Sequence, residues 1–329
     1  MAGTGSVSTS EELAVLVRND FIESRHAGSV VVVDPAGKVI FAKGDPDAEV
    51  FPRSAMKLFQ AMGIFSTGIT LSPAHTALAT SSHTGSAAHV ALVREVLALG
   101  GFTEADLQCA TEWPVDKAML KQVYLADGGA ERIYHCCSGK HAAMLLACAE
   151  AGWPTESYLD PSHPLQQRIR EAVEFLTRTT ITHAAVDGCG APVYAMPLSA
   201  LARGVSAVIT SDASAPLGIG SSSKKLTSAM LTHPWIVGAP GEPDTLIMEE
   251  LGFIAKSGYE GVFLTATPDG TTVATKILDG NLRAAPLVAL QALVRVGALS
   301  QDKMDALIPR LHAEVFGGGK VVGELKATF

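Results

Sequence analysis

The 329-residue sequence has little of what marks several classes of protein. Only 18% of its residues are charged and 47% are hydrophobic, which excludes a chain that is disordered throughout. Its 25 Lys and Arg residues are outnumbered by 33 Asp and Glu, and no basic stretch could follow a phosphate backbone, so we expect no nucleic-acid partner. No apolar run approaches the ~20 residues of a membrane helix, so we expect no membrane partner.

Cysteine is also scarce, and the five cysteines form an odd set that is too sparse for a disulfide scaffold: Cys109, Cys136, Cys137, Cys148 and Cys189. The first residues have neither a basic start nor an apolar stretch of secretory length. Both features predict a cytoplasmic location, where thiols serve as core residues, metal ligands or nucleophiles.

Internal repeats and long flexible linkers are lacking too, while turn residues join β-branched runs near both ends of the chain. Two hairpins are predicted, at residues 29–33 with 38–41 and at 261–267 with 271–277. Helices are predicted over residues 87–99, 140–151, 164–177 and 285–296. This pattern predicts an α/β (α+β) protein with one antiparallel sheet built from both chain ends and an inserted helical region.

We therefore predict a single domain over residues 1–329 with two lobes. The sheet lobe covers approximately residues 20–60 and 225–329, and the helical lobe approximately residues 61–224. The Ser- and Gly-rich stretch from Asp212 to Lys225 is interpreted as a surface connection and is the best candidate for a mobile loop.

Ser54 and Lys57 lie one turn apart at the predicted start of a helix, behind the extended segment that ends at Arg53. A serine becomes a nucleophile only beside a base, and a lysine is a base only when neutral, which costs roughly 4.6 kcal/mol at pH 7 from an ordinary pKa of about 10.4. Burial or a second cation would remove much of that cost. Because the same spacing recurs elsewhere in the chain, an ordinary serine and a solvated lysine are the alternative.

Lys256-Ser257-Gly258 precedes the second hairpin, where the lysine would stand on a sheet edge and the glycine would allow close backbone approach. An early Ser-x-x-Lys with a late Lys-Ser-Gly is the pattern of penicillin-recognising serine enzymes. The Ser-Asp-Asn triplet of that pattern is missing, and the nearest polar triplet begins at Ser82. An exposed lysine at a strand entry is the alternative interpretation.

Cys137 precedes an apolar helix, where the N-terminal amides of the helix favour a thiolate. Cys189 is a second thiol, in a glycine-framed turn. Their separation matches no zinc-finger spacing, so inert buried thiols are the alternative to metal binding. His141 and His183 are possible further ligands.

Five blocks of sequence, taken together and in order, resemble the rhizobial-type (class 3) L-asparaginases: residues 52–57, 81–85, 137–141, 187–190 and 256–258. The resemblance runs from about residue 20 to the end. It implies a serine β-lactamase/transpeptidase-like fold, similar to that of penicillin-binding proteins, and a homodimer. It also implies an amidohydrolase that converts L-asparagine to L-aspartate and ammonia.

The resemblance further implies that two Ser-Lys tandems meet in one cleft, Ser54 with Lys57 and Ser82 with Lys256. Repulsion between the two lysines would lower the pKa of at least one of them. The resemblance leaves open which pair provides the nucleophile.

By the same resemblance, zinc would bind to Cys137, Lys140 and Cys189 beside the cleft, and Lys140 would have to lose its proton. Arg53 and Asp187 would bind the α-carboxylate and the α-ammonium of the substrate. His141 would orient neighbours or polarise water. Whether turnover needs the metal stays open at this point.

Three alternatives remain from the sequence. A glutaminase and a β-lactam or D-Ala-D-Ala hydrolase would share the fold, and one methylene separates glutamine from asparagine at a cost of only about 1 to 3 kcal/mol. The third is a non-catalytic module that binds or senses a ligand.

Overall fold

The computed structural model describes residues 3–212, 214–311 and 313–329. Its strands are β1 (Glu11–Arg18), β2 (Phe21–Val33), β3 (Val39–Lys43), β4 (Glu49–Val50), β5 (Ala184–Val186), β6 (Pro192–Tyr194), β7 (Met196–Pro197), β8 (Ile254–Gly258), β9 (Val262–Ala266), β10 (Thr272–Ile277), β11 (Glu314–Gly317) and β12 (Lys320–Ala327). Its helices are α1 (Lys57–Phe65), α2 (Pro73–Leu78), α3 (Ala87–Leu99), α4 (Lys117–Leu125), α5 (Ser138–Ala151), α6 (Pro164–Thr177), α7 (Leu198–Thr210), α8 (Ile219–Thr232), α9 (Pro234–Val237), α10 (Pro243–Leu251), α11 (Ala285–Arg295) and α12 (Gln301–Leu307).

An eight-stranded antiparallel sheet organises the molecule, in the order β11-β12-β1-β2-β10-β9-β8 with β3 paired to β2. Strands from both ends of the chain meet at its centre, where Val30 of β2 lies opposite Thr275 of β10. The predicted sheet of both chain ends and the inserted helical region are therefore confirmed, as are both hairpins.

In the turn of the first hairpin, the Asp34 side chain forms hydrogen bonds with backbone N–H groups. Asp34 Oδ1 accepts hydrogen bonds from the backbone N–H groups of Ala36 and Lys38 at 3.0 and 2.9 Å. Such an Asx turn replaces the ladder bonds that the chain gives up as it reverses. The turn residues read from the sequence thus act by the expected chemistry.

The core lies on both sides of the central strands. Val30, Val31, Val32 and Val33 are all fully buried, although successive residues of a strand point to opposite faces. Helices α7 and α11 both pack against β2 and β10 and supply this cover. A central strand buried on both faces explains its continuous β-branched run.

Two expectations about boundaries meet a different structure. The sheet already starts at Glu11 in β1, ahead of the predicted lobe boundary near residue 20. The prediction of a surface loop from Asp212 to Lys225 is wrong for the second half of that segment, because α8 begins at Ile219 and runs to Thr232. Across the described ranges, no helix combines the length and the apolar character needed to cross a membrane.

Candidate active site

A short 3₁₀ turn, Arg53–Met56, leads into α1 and carries Ser54. Arg53 adopts a φ of 52°, in the left-handed region that costs energy for a residue with a side chain. Edge strand β8 lies directly against this turn, and a Cβ at Gly258 would overlap the carbonyl oxygen of Pro52. The predicted close backbone approach at this glycine is therefore present, and it fixes β8 beside Ser54.

Lys57, the first residue of α1, is almost completely buried. Its Nζ donates to the carbonyl oxygen of Ser81 and to Ser82 Oγ at 3.0 Å. Within the described ranges, its hydrogen bonds do not include Ser54, so its hydroxyl partner is Ser82. The cross-pairing differs from the implied tandems, in which Ser82 accompanies Lys256.

Lys256, at the middle of β8, is fully buried, so the interpretation of an exposed lysine at a strand entry is wrong. Its Nζ forms an ion pair with Asp244 Oδ2 at 3.0 Å. Burial lowers the pKa of Lys256, Asp244 raises it, and the charge of Lys57 lowers it, with a net lowering. The two lysines therefore lie within electrostatic reach of each other.

The thiol side of the site begins at the N-terminus of α5, where Cys137 is the cap residue. Lys140 Nζ, buried one turn along the helix, donates to Cys189 Sγ at 3.4 Å. Hydrogen bonds with Cys136 and Cys189 lower the pKa of the Cys137 thiol far enough to overcome its burial. The structure therefore brings the three implied zinc ligands together.

The neighbours of Lys140 stabilise its charged ammonium form. Burial opposes that charge, but Cys189, Cys137 and Asp187 outweigh burial and raise the Lys140 pKa. Thiolate sulfur is a preferred zinc ligand, so the donor set fits zinc once the amine gives up its proton.

A second possible donor group overlaps the first. Ligand atoms of His135, Cys136 and Cys137 all lie within 4.8 Å of one another. His135 Nδ1 already accepts the backbone N–H of Cys137 at 3.0 Å, which leaves its other ring nitrogen for a ligand. No spacing signal in the sequence points to His135, which directly precedes the two cysteines.

The residues implied for the two charged groups of an amino acid face each other. Arg53 Nε donates to Asp187 Oδ1 at 2.7 Å, and the Gly188 backbone N–H donates to the same oxygen at 2.8 Å. The side chains keep 25% and 12% of their surface exposed, so both can be reached. The Arg53 guanidinium also lies 5.8 Å from the centre of the Tyr259 ring.

A cavity of about 250 Å³ joins these groups. Its wall contains five of the sequence-predicted site residues: Arg53, Ser54, Cys137, Asp187 and Cys189. This volume lies just below the roughly 300 to 1,000 Å³ of ordinary small-molecule pockets, which suits a small metabolite.

Besides His135, the same wall contains three side chains with chemistry that sequence reasoning missed: Glu112, Cys136 and Tyr259. Glu112 Oε2 accepts the backbone N–H of Cys136 at 3.2 Å. Tyr259 could have been found as the residue that follows the Lys-Ser-Gly block, whereas nothing in the sequence near Glu112 distinguishes it from a surface acid.

His141 lies behind the cavity. It is fully buried, and its Nδ1 lies 2.7 Å from the hydroxyl of Tyr158, which also accepts the backbone N–H of Gln108 at 3.0 Å. The Tyr158 hydroxyl and His141 Nδ1 therefore share a buried hydrogen bond. Burial, with the charge of Lys140, lowers the His141 pKa. The described wall of the cavity does not include this ring, which lies in the packing between α5 and Tyr158.

Comparison with known proteins gives one family match over nearly the whole chain. The model of the L-asparaginase II family matches residues 14–327. Searches of curated proteins gave no significant match.

Several solved structures are similar to this chain at low identity. A β-lactamase from Mycobacterium bovis is 15% identical over 83% of this chain and 95% of that chain, with a TM-score of 0.43. The Bacillus subtilis glutaminase YbgJ, in covalent complex with 5-oxo-L-norleucine, is 11% identical over 83% of this chain and 88% of that chain, with a TM-score of 0.39. A β-lactamase from Sphaerobacter thermophilus is 15% identical over 84% of this chain and 93% of that chain, with a TM-score of 0.39.

Proposed function

The chain belongs to the L-asparaginase II family of amidohydrolases, and from this premise we propose that it hydrolyses L-asparagine to L-aspartate and ammonia. One observation carries the proposal beyond the family: Ser54 lines the same small cavity as the Arg53 and Asp187 pair. A nucleophile beside one cation and one carboxylate suits a free α-amino acid. The carboxylate of the amino acid binds the Arg53 guanidinium, and its ammonium group binds Asp187. These two contacts replace the ion pair between Arg53 and Asp187.

The proposed chemistry is acyl transfer from the side-chain amide. Ser54 Oγ attacks the amide carbon, and its proton passes to the Lys57 amine, with the Ser82 hydroxyl 3.0 Å from that amine as a relay. The proton then goes to the leaving nitrogen, which departs as ammonia. Water attacks the resulting ester and gives its proton to Lys57, which returns it to Ser54 and releases aspartate.

Backbone N–H groups at Ser54 and along β8 are the proposed donors to the oxyanion of this reaction. The close contact between Gly258 and Pro52 holds these two segments side by side. Donors fixed before the reaction stabilise developing charge without reorganisation, and losing one such donor costs roughly 10² to 10³ in kcat.

Zinc is part of the proposal, held by Cys137, Lys140 and Cys189. The three side chains are buried, and hydrogen bonding lowers the pKa of Cys137, as a thiolate ligand requires. When bound, zinc would supply a Lewis acid that polarises the neighbouring substrate. The chain's own part is to place the Lys140 amine beside the thiols, where the metal would have to displace its proton.

The experiment that tests the function measures ammonia release from asparagine and glutamine, with hydrolysis of a chromogenic β-lactam in parallel. We expect asparagine to be the preferred substrate, with some glutamine turnover because one methylene is worth only about 1 to 3 kcal/mol. Hydrolysis of the β-lactam alone would contradict the proposal. No turnover of any substrate, with asparagine still bound, would favour the ligand-sensing alternative.

Two further expectations come from the resemblance to class 3 enzymes. We propose a homodimer, which sedimentation velocity would show as a species of twice the chain mass. We also propose a cytoplasmic location, to be checked by fractionation of the source cells.

A further inference from the structure

Another cavity, of about 620 Å³, lies between the loop that joins α1 to α2 and one face of α8. As far as their walls are described, this cavity and the candidate active site share no residue. Phe65, the last residue of α1, lines the cavity, whereas Lys57 begins that helix roughly 12 Å away along its axis. The cavity is therefore separate from the candidate active site, and its volume is that of an ordinary small-molecule site.

Part of the wall is apolar. Five apolar residues line the cavity, four from the segment that ends α1 and begins α2 and one from α8: Phe65, Ile69, Leu71, Pro73 and Ala229. Phe65, Ile69 and Leu71 are only partly buried. An apolar group in the cavity would cover surface that the fold leaves in contact with water, which is favourable.

Helix α8 supplies a polar face to the same cavity. Ser221, Lys225 and Ser228 lie at positions i, i+4 and i+7, so they share one face of the helix, and Ser222 borders it. Within the described wall, Lys225 is the only charged side chain, and it has no ion pair with any residue that the structure describes. The first turn of α8 has no acidic residue, so the positive end of the helix dipole adds to the charge of Lys225.

A buried hydroxyl group faces the cavity from α2. Thr76 is only 6% exposed and lines the cavity, yet its Oγ1 forms no hydrogen bond with a described residue. One turn further along the chain, the buried Thr80 hydroxyl donates to the Ala77 carbonyl oxygen at 2.9 Å. A buried hydroxyl without a partner is costly, so Thr76 offers a hydrogen bond that a ligand in the cavity can use.

The charges around the two cavities predict different ligands. The candidate active site sets Arg53 beside Asp187, a pair that suits the two charges of an amino acid. The described wall beside α8 has a cation and several hydroxyl groups, but no carboxylate that could bind an ammonium group. Its matching ligand is an organic anion with an apolar body and no amino group.

We propose that the cavity between the α1–α2 loop and α8 is a binding site for a small apolar carboxylate. The carboxylate binds to Lys225 and to hydroxyl groups of the wall, and the apolar body packs against Phe65, Ile69 and Leu71. This site does not depend on the proposed amidohydrolase chemistry, because the two cavities have separate walls.

The test is calorimetric titration of the full chain with three probes that share one apolar body. Hydrocinnamate has a carboxylate alone, hydrocinnamyl alcohol has no charge, and phenylalanine adds an α-ammonium group to the carboxylate. We expect hydrocinnamate to bind at this site at least about tenfold more tightly than the other two, the scale of a hydrogen bond to a charged group. Equal affinity for the alcohol or for phenylalanine at this site, or no binding of hydrocinnamate at millimolar concentration, would overturn the proposal.

Two variants at one position assign the binding to this cavity. Ser228 is an exposed residue of α8 that lines the wall, so Ser228→Phe should fill the cavity and abolish the binding of hydrocinnamate. Ser228→Ala leaves the space open and should keep the affinity within about threefold, since one hydroxyl at an exposed position contributes little. Binding that persists in Ser228→Phe lies elsewhere and contradicts the proposal.

The role of the cation has its own matched pair. Lys225→Met keeps most of the side-chain length without the charge, and we expect the affinity for hydrocinnamate to fall by roughly 3- to 10-fold. Lys224→Met is the control, because this exposed lysine precedes Lys225 on α8 and lies outside the described wall, and it should leave the affinity unchanged. Equal losses in the two variants would mean a general attraction of anions to α8 and would overturn the assigned site.

Thr76→Val tests the buried hydroxyl group with little change of shape. We expect the affinity for hydrocinnamate to fall by roughly 2- to 10-fold, the net value of one hydrogen bond, and the affinity for the alcohol to fall less. An unchanged affinity for hydrocinnamate in both Thr76→Val and Lys225→Met would leave an apolar cavity without anion recognition and would refute the proposal.

Discussion

Lys256 and Lys140 lie in two parts of one site and are equally buried, but their pKa values are shifted in opposite directions. Lys256 has Asp244 on one side and Lys57 on the other, and its pKa is lowered by burial in spite of the carboxylate. Lys140 meets the same cost of burial, but two thiols and Asp187 raise its pKa. The sign of the neighbours, and not the depth of burial, decides which amine can give up its proton. The side of the site with Ser54, Lys57, Ser82 and Lys256, the hydroxyl side, is therefore suited to proton transfer. The thiol side, with Cys137, Lys140 and Cys189, is suited to holding a cation.

The largest effect should come from the hydroxyl side. We expect Ser54→Ala and Lys57→Met each to lower kcat by at least about 10³-fold, because each removes a part of the activated nucleophile. Steady-state ammonia release measures this, and the zinc content of both variants should stay at the wild-type level.

Ser82→Ala gives the matched comparison within the hydroxyl side. Loss of a relay hydroxyl should lower kcat less than loss of the nucleophile. The kcat of Ser82→Ala should therefore lie above that of Ser54→Ala. The opposite order would exchange the roles of the two serines, and retained turnover in Ser54→Ala would refute the assignment.

Next in size is recognition of the substrate, which lies between the two sides. Arg53→Lys keeps the charge but loses the planar fork, so we expect KM for asparagine to rise by roughly 10- to 100-fold, the scale of a charged hydrogen bond worth about 1.5 to 3 kcal/mol. The fall in kcat should be smaller. A kcat that drops while KM stays fixed would place Arg53 in the chemical step.

The thiol side is tested by its metal. We expect elemental analysis to find about one zinc per chain, reduced at least about tenfold in Cys137→Ala and in Cys189→Ala. Cys148→Ala is the control, because this buried thiol belongs to the same helix and lies outside the cavity wall. If wild-type protein with all its thiols reduced contains no zinc, the cysteines of the cluster are buried thiols without a metal-binding role.

The smallest expected effect is a loss of folding stability at acid pH, and it involves both sides of the site. His83 and His141 are buried, and burial lowers the pKa of each well below 6.5. Below pH 6.5 these histidines take up protons in the unfolded chain but stay neutral in the folded protein. Their contribution to the free energy of unfolding is therefore complete above about pH 6.5 and falls on acidification. We expect a loss of up to about 1.4 kcal/mol per pH unit per histidine between pH 6.5 and 5.5, measured by urea unfolding. An unchanged stability over that interval would contradict neutral burial.

Much of the fold could be predicted because local sequence and long-range packing agree there. The turn at Asp34 and the continuous β-branched run Val30 to Val33 indicate a hairpin and a doubly covered strand, and both are present. Helix α8 was missed because its Ser and Gly residues resemble a loop. Ile219, Leu226 and Met230 nevertheless fall on one buried face, so packing overrides the weak local preference.

The candidate site divides in the same way. Side chains carried by recognisable blocks, such as Arg53 with Ser54, could be placed in advance at one cavity. Asp244 could not, because Pro-Asp at residues 243–244 has the ordinary composition of a helix start. Its significance depends on the arrival of Lys256 from the next strand, a meeting that no local pattern encodes.

The pairing of β2 with β10 also sets a timetable for synthesis. A ribosome adds roughly 5 to 20 residues per second, so the valine-rich strand leaves the exit tunnel on the order of tens of seconds before its partner has been translated. During that interval an apolar strand destined for the centre of the sheet has an open edge, which is a template for aggregation. Newly made chains should therefore require a chaperone to cover β2 until the second hairpin emerges, and fragments that stop before it should be insoluble.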